Sequence, residues 1–150
     1  MNIMIVFRPT KINDVEDILE KQNININDRN FLDSIFFAAE VDNKLIGIGR
    51  LEMLNNIGII SVILKPTEHD ILIGLIKSIL NYADRRNIKR IYTSTSDCIE
   101  FYKSLGFNII CKELIEDRIK KSSLAKNKND TIMVLNLTGY FDKPCHCKNT

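Results

Sequence analysis

The chain has 150 residues, 45% of them hydrophobic and 27% charged, with a formal net charge of +2. That suits one domain around a single core and is too apolar for wholesale disorder. The small charge is scattered among acids and offers no basic stripe for nucleic acid, and no run of about 18 apolar residues exists to span a membrane.

The opening Met1-Asn2-Ile3-Met4-Ile5-Val6-Phe7-Arg8 lacks the charged leader and cleavage site of a secretory signal, so a cytoplasmic protein is expected. Residues 3 to 8 alternate as a strand, with Ile3, Ile5 and Phe7 on one side. Thr10 can cap a helix over about 12 to 22, where Ile12, Val15, Ile18 and Leu19 recur at helical spacing and acids gather near the N-terminus. Residues 23 to 34 are rich in turn formers and read as a loop. Two apolar runs, Ile35 to Val41 and Lys44 to Glu52, flank Asp42-Asn43, a pair that tolerates positive φ and so predicts a hairpin. A turn at Asn55-Asn56 leads to Gly58 to Leu64, a run apolar on both faces. Between Glu68 and Arg86, Ile71, Leu72, Leu75, Ile76, Ile79, Leu80 and Ala83 form one helical stripe, and Lys89 to Thr93 is a short strand behind it.

A polar loop starting at Thr93 is then expected to enter a short helix. Asp97 or Ser96 can accept a bond from its first amides, Ile99, Tyr102 and Leu105 share one face, and Gly106 can stop it in the left-handed conformation. Phe107 to Cys111 reads as a strand, Glu113 to Ala125 as a helix, Lys126 to Asp130 as a turn and Thr131 to Leu137 as a closing strand. Of four cysteines, Cys98 and Cys111 fall inside expected elements and Cys145 and Cys147 in the tail, which is no disulfide framework. Cys145, His146 and Cys147 carry soft-metal donors, but neighbours in sequence cannot enclose one ion, and no metal is expected. Residues 1–140 read as the domain and 141–150 as a tail.

The segment Ile99-Glu100-Phe101-Tyr102-Lys103-Ser104-Leu105-Gly106-Phe107 resembles the last motif of the GCN5-related N-acetyltransferases (GNAT), an aromatic-Tyr-x-x-x-Gly-Phe pattern. Val6 to Leu19, a strand ending in Phe-Arg before Thr-x-x-x-Asp, is similar to that family's opening. The resemblance implies an α/β (α+β) fold, a mixed, mostly antiparallel sheet of about seven strands flanked by helices. It also implies acetyl-CoA as co-substrate and a small-molecule amine as acceptor; a homodimer is compatible with the sequence, which does not fix the oligomeric state. Tyr102 would then be the general acid. Val62, Ile63 and Leu64 would hold the pantetheine like an added strand. The helix start, His69, Asp70, Ile71, Leu72, Ile73 and Gly74, would carry the pyrophosphate, and Thr95 stands where the family commonly has a cofactor-contacting Asn. For the base, Glu52 ranks ahead of Glu40.

One stretch departs from the pattern. Where the family has Val-x-Pro-x-x-Arg-x-x-Gly-x-Gly, this chain has Leu64-Lys65-Pro66-Thr67-Glu68-His69-Asp70-Ile71-Leu72-Ile73-Gly74. Leu72 hinders close backbone approach to phosphate, Glu68 and Asp70 add negative charge, and His69 offsets them only when protonated. Two expectations follow, an acetyltransferase or a non-catalytic binding domain on the same fold. Tyr102 is correspondingly either the acid or a core tyrosine with a wet hydroxyl.

Overall fold

A computed structural model describes residues 3–21, 33–115, 124 and 130–142. Seven strands form one mixed sheet: β1 Ile5–Thr10, β2 Asp33–Val41, β3 Lys44–Leu54, β4 Ile57–Leu64, β5 Arg90–Thr95, β6 Asn108–Ile109 and β7 Thr131–Asn136. Their spatial order is β1-β2-β3-β4-β5-β7-β6. All neighbouring pairs are antiparallel except β4 with β5, which are joined through helix α2, His69–Arg85. Helices α1, Ile12–Lys21, and α3, Ile99–Ser104, complete the architecture.

Local chemistry accounts for the meander. Asp42 and Asn43 take φ values of 50° and 67°, and Asn55 takes 55°, so each tight turn is made by side chains that tolerate the left-handed region. Alternation then sorts the faces. Leu51, Ile60, Ile91 and Met133 point to the side covered by α2, whose buried stripe is the predicted Ile71, Leu72, Leu75, Ile76, Ile79, Leu80 and Ala83. Ile48 and Phe36 face the other way and meet Val15 and Leu19 of α1. Burying each large apolar side chain stabilises the fold by about 1.5–3 kcal/mol, so the α2 stripe is the main anchor of the helix to the sheet.

Two glycines let backbones come close. A Cβ on Gly47 of β3 would stand 2.6 Å from Cγ of Pro66, so the missing side chain makes room for the ring that starts the β4–α2 turn. A Cβ on Gly74 of α2 would run into the Phe7 ring of β1.

Several sequence expectations need correction. The Thr-Ser-Thr run is not loop at its start. Thr93, Ser94 and Thr95 continue β5, because they pair with Met133, Ile132 and Thr131 of β7 and two of the three are β-branched. Neither Ser96 nor Asp97 caps α3. Cys98 is the N-cap and lends no side-chain bond; instead the Thr95 hydroxyl accepts the Cys98 N–H at 2.9 Å. The strand after Phe107 is only Asn108–Ile109, and residues 112–114 make one 3-10 turn where a longer helix was expected. Apart from Ile115 and Leu124, the rest of that helix, most of the turn after it, the loop over 23 to 32 and the Cys145-His146-Cys147 tail lie outside the described residues.

Candidate active site

The site begins where two neighbouring strands part. β4 and β5 pair in parallel through Ile57 with Arg90, Gly58 with Ile91 and Ile59 with Tyr92, and the ladder ends there. One residue further on, the Thr93 side chain takes over: its hydroxyl donates to the carbonyl of Ile60 at 2.9 Å in a buried bond. On its other edge β4 slips register against β3. Gly49 faces Val62 while Ile48 faces Leu64, which leaves Ile63 as the extra residue of a bulge. A bulge bends its strand, and β5 meanwhile stays tied to β7 up to Thr95. The two strand ends diverge as a result.

The gap is a cavity of about 250 Å³. Val62 and Leu72 form an apolar wall, Ser94, Thr95 and Ser96 a hydroxyl-bearing one, and Cys98, Phe101 and Tyr102 present one face of α3. Lys65, Asp97 and Asp130 add charged groups, and the Lys65 ammonium lies 3.5 Å from the Cys98 sulfur.

Tyr102 is held from several sides. The Gly106 amide donates to Lys103 O and the Phe107 amide to Tyr102 O, the paired bonds of a Schellman ending, with Gly106 at φ 105°. The Tyr140 hydroxyl also donates to Leu105 O at 2.7 Å, tying the chain after β7 to the end of α3. Ring edges of Phe101 and Phe107 flank the phenol at centroid distances of 5.2 and 5.3 Å. The side chain is 5% exposed and still lines the cavity. Burial pushes its pKa above the ordinary phenol value, the hydrogen-bonding Thr93 side chain counters this, and Cys98 adds a smaller upward push. A phenol in this setting keeps its proton at neutral pH and has it to give.

The other predicted site residues divide. Val62, Leu72 and Thr95 line the cavity with Tyr102. Ile63 and Leu64 pack toward α1 instead, since the bulge turns them to the other face. His69 begins α2 exposed, its ring edge against Phe101 at 5.4 Å. Asp70 is exposed in the same turn, Ile71 is buried in the core, Ile73 packs at the edge of that core, and Gly74 lies against the Phe7 ring of β1. Glu68 is the N-cap without a side-chain bond, so it does not occupy the first-turn amides of α2.

Glu52 lies elsewhere. It is fully buried on the face opposite Leu51, 3.8 Å from the Arg50 guanidinium, which itself donates to the Ser34 hydroxyl. The carboxylate is not among the groups lining the cavity. Glu40 is half-buried on β2 in a bidentate pair with Arg8.

Sequence reasoning missed Lys65, Ser94, Ser96, Asp97, Cys98, Phe101 and Asp130 as wall residues. Phe101 and Cys98 could have been found from their spacing to Tyr102 on one short helix. Asp130 had no local signal, because only the β5–β7 pairing brings it to the end of β5.

A splayed parallel pair with a helix start at its mouth is an arrangement whose family can be tested directly. The acetyltransferase (GNAT) domain model matches residues 10–122. The chain belongs to the GNAT family. No curated protein sequence matches it. Among solved structures this GNAT chain is similar to N-acetylglutamate synthase from Neisseria gonorrhoeae, complexed with coenzyme A and N-acetyl-glutamate, with 20% identity and a TM-score of 0.69. The match covers 89% of this chain and 35% of that one, so the chain spans about a third of that synthase. It is also similar to the PaiA N-acetyltransferase of Thermoplasma acidophilum in complex with coenzyme A, at 19% identity and TM-score 0.62, covering 89% and 99% of the two chains. A GNAT-family acetyltransferase from Staphylococcus aureus matches at 18% identity and TM-score 0.63, covering 89% and 99%. At such identities the likeness speaks to the fold. The expected seven-stranded, mostly antiparallel GNAT sheet is therefore the one observed.

Proposed function

We propose that this GNAT domain transfers an acetyl group from acetyl-CoA to a small-molecule amine by direct attack. The observation that carries the reading is the cleft itself: β4 and β5 part after Ile59 and Tyr92, and a buried, proton-bearing phenol stands in the wall of the gap. Beyond the split, the main-chain groups of β4 around Val62 have no ladder to β5 and can bond an extended pantetheine arm as a strand edge bonds a peptide. The first-turn amides of α2, at His69, Asp70 and Ile71, offer partial positive charge to a pyrophosphate. Leu72 then acts as apolar wall rather than as a phosphate contact.

In this reading the amine nitrogen attacks the thioester carbonyl carbon, and the carbon–sulfur bond breaks as the tetrahedral species collapses. Tyr102 gives its phenolic proton to the departing thiolate and is reprotonated from solvent. The nitrogen loses its extra proton to water, leaving an amide and free thiol. We assign Glu52 to holding Arg50, since the two face each other away from the cleft. Non-catalytic binding is the weaker reading because an acid poised in an open cleft has no use in it.

The test has two stages. Acetyl-CoA titrated into the protein should raise its melting temperature, since a ligand that binds only the folded state stabilises it. A panel of primary amines and amino acids is then screened by thiol release. Tyr102→Phe should lower turnover by about a hundredfold or more, with acetyl-CoA affinity nearly unchanged. No thermal shift at millimolar acetyl-CoA removes the enzyme reading, and full turnover in Tyr102→Phe removes Tyr102 from the mechanism.

A further inference from the structure

The strands that part after Ile59 and Tyr92 lead to two side chains that meet again. Lys65 follows the last residue of β4, Cys98 comes shortly after β5, and the Lys65 ammonium donates to the Cys98 sulfur at 3.5 Å. The thiol in turn donates to a carboxylate oxygen of Asp97 at 3.4 Å. Lys65 is exposed, and among the described residues no carboxylate stands within ion-pair distance of it. Its partner is therefore a thiol sulfur, a weak acceptor.

The charges around the cleft make that weak hold informative. Of the described residues that line the cavity, Lys65 is the cation, while Asp97 and Asp130 are acids. Glu68 and Asp70 add two more acids at the start of α2, and His69 between them packs edge-on to Phe101 at 5.4 Å. A phosphate-bearing ligand entering here meets more negative side chains than positive ones. The partial charge of a helix start, about half an elementary charge, does not offset them. Lys65 lines the cleft and can. Exchanging the thiol for a phosphate oxygen turns a weak bond into a charge-assisted one, and a flexible point charge is suited to the move.

We propose that Lys65 is the pyrophosphate-binding cation of this domain: its ammonium leaves the Cys98 sulfur for the pyrophosphate of acetyl-CoA and supplies the charge that the acid-rich start of α2 does not. The assignment rests on the reading that acetyl-CoA lies between β4 and β5. It moves the positive charge from the first turn of the helix, where the family pattern has Arg, to the turn ahead of it. Glu68 and Asp70 can then stand beside a phosphate site.

The experiment is a calorimetric titration of the full chain with acetyl-CoA, acetyl-dephospho-CoA and S-acetylpantetheine. Lys65→Met keeps the apolar stem and removes the charge at an exposed position, and should weaken acetyl-CoA about tenfold, the size of one charge-assisted bond. Acetyl-dephospho-CoA keeps the pyrophosphate and should lose as much, whereas S-acetylpantetheine has no phosphate and should bind as before. Lys65→Arg keeps the charge and should stay within roughly threefold of wild type. Salt screens an exposed charge, so the gap between wild type and Lys65→Met should close as salt rises. Equal acetyl-CoA affinity in wild type and Lys65→Met overturns this inference alone. An equal loss with S-acetylpantetheine, or a gap that persists at high salt, also overturns it and marks Lys65 as part of the shape of the cleft. A loss confined to acetyl-CoA moves the contact to the 3′-phosphate and overturns the pyrophosphate assignment. Where S-acetylpantetheine is too weak to titrate, the salt comparison decides. Wild-type protein that binds no acetyl-CoA overturns the cofactor reading beneath this inference as well.

Discussion

Gly74→Ala separates two reasons for a glycine in the first half of α2. In the family pattern this position belongs to the phosphate loop, whereas here its neighbour is a ring. An alanine Cβ would collide with Cζ of Phe7, lie 2.6 Å from Cε2 and 3.2 Å from Cε1. It would thus press on the ring across the β1–α2 contact. Relieving the overlap requires Phe7 to turn or β1 to shift, and such overpacking typically costs about 1–3 kcal/mol. Against this, alanine is favoured over glycine in a helix interior by about 1 kcal/mol. The balance is a loss of about 1 kcal/mol, or roughly 2–4 °C in melting temperature for a chain of this size. A thermal melt of Gly74→Ala, Phe7→Leu and the double variant reads it out. In the Phe7→Leu background the smaller side chain leaves room, so the alanine should become neutral or stabilising, while acetyl-CoA affinity stays unchanged in every variant. Equal destabilisation with and without the ring refutes the collision. Lost acetyl-CoA affinity with an intact melting temperature would instead assign Gly74 to the cofactor.

Two further outcomes are expected. Arg50→Met leaves the buried Glu52 carboxylate without its cationic neighbour and should cost about 3 kcal/mol or more in urea denaturation, whereas Arg50→Met with Glu52→Leu should cost less than either change alone. Strict additivity would refute a coupled pair. Glu40 has its pKa lowered from 4.5, first by the hydrogen bond from Arg8. A carboxylate more acidic in the folded chain adds stability above its unfolded pKa and loses it as pH falls through the folded one. Since Arg8 is 49% exposed, solvent screening keeps the contribution below about 1 kcal/mol. Glu40→Gln should lower stability slightly at neutral pH, by less than about 1 kcal/mol, and flatten the fall below pH 4.5, and a wild-type acid profile in the variant would dismiss the pair.

How legible the site was depended on how local its causes are. Tyr102 could be found because helix start, apolar spacing and the Gly106 stop all sit within a few residues of it, and the structure keeps that arrangement. The α2 stripe and the Asp42-Asn43 hairpin were legible for the same reason. The cap of α3 was misassigned because Thr95, still in β5, reaches the Cys98 amide before Ser96 or Asp97 can. Glu52 showed the reverse limit. Its side chain type suggested a base, yet period-two alternation against Leu51 sends it to the far face, beside Arg50.

From the linear order alone came the elements, the two faces of the helices and the family, because hydrophobic periodicity and turn chemistry act between near neighbours. Tertiary pairing decided where the sheet opens. The bulge at Ile63 exists only against β3, the hold on β5 only against β7, and the bond from Thr93 to Ile60 only once both strands are in place. Hydrogen bonds between strands distant in the chain, and the register of one hairpin, leave no imprint on spacing, so the cleft could be built only by folding.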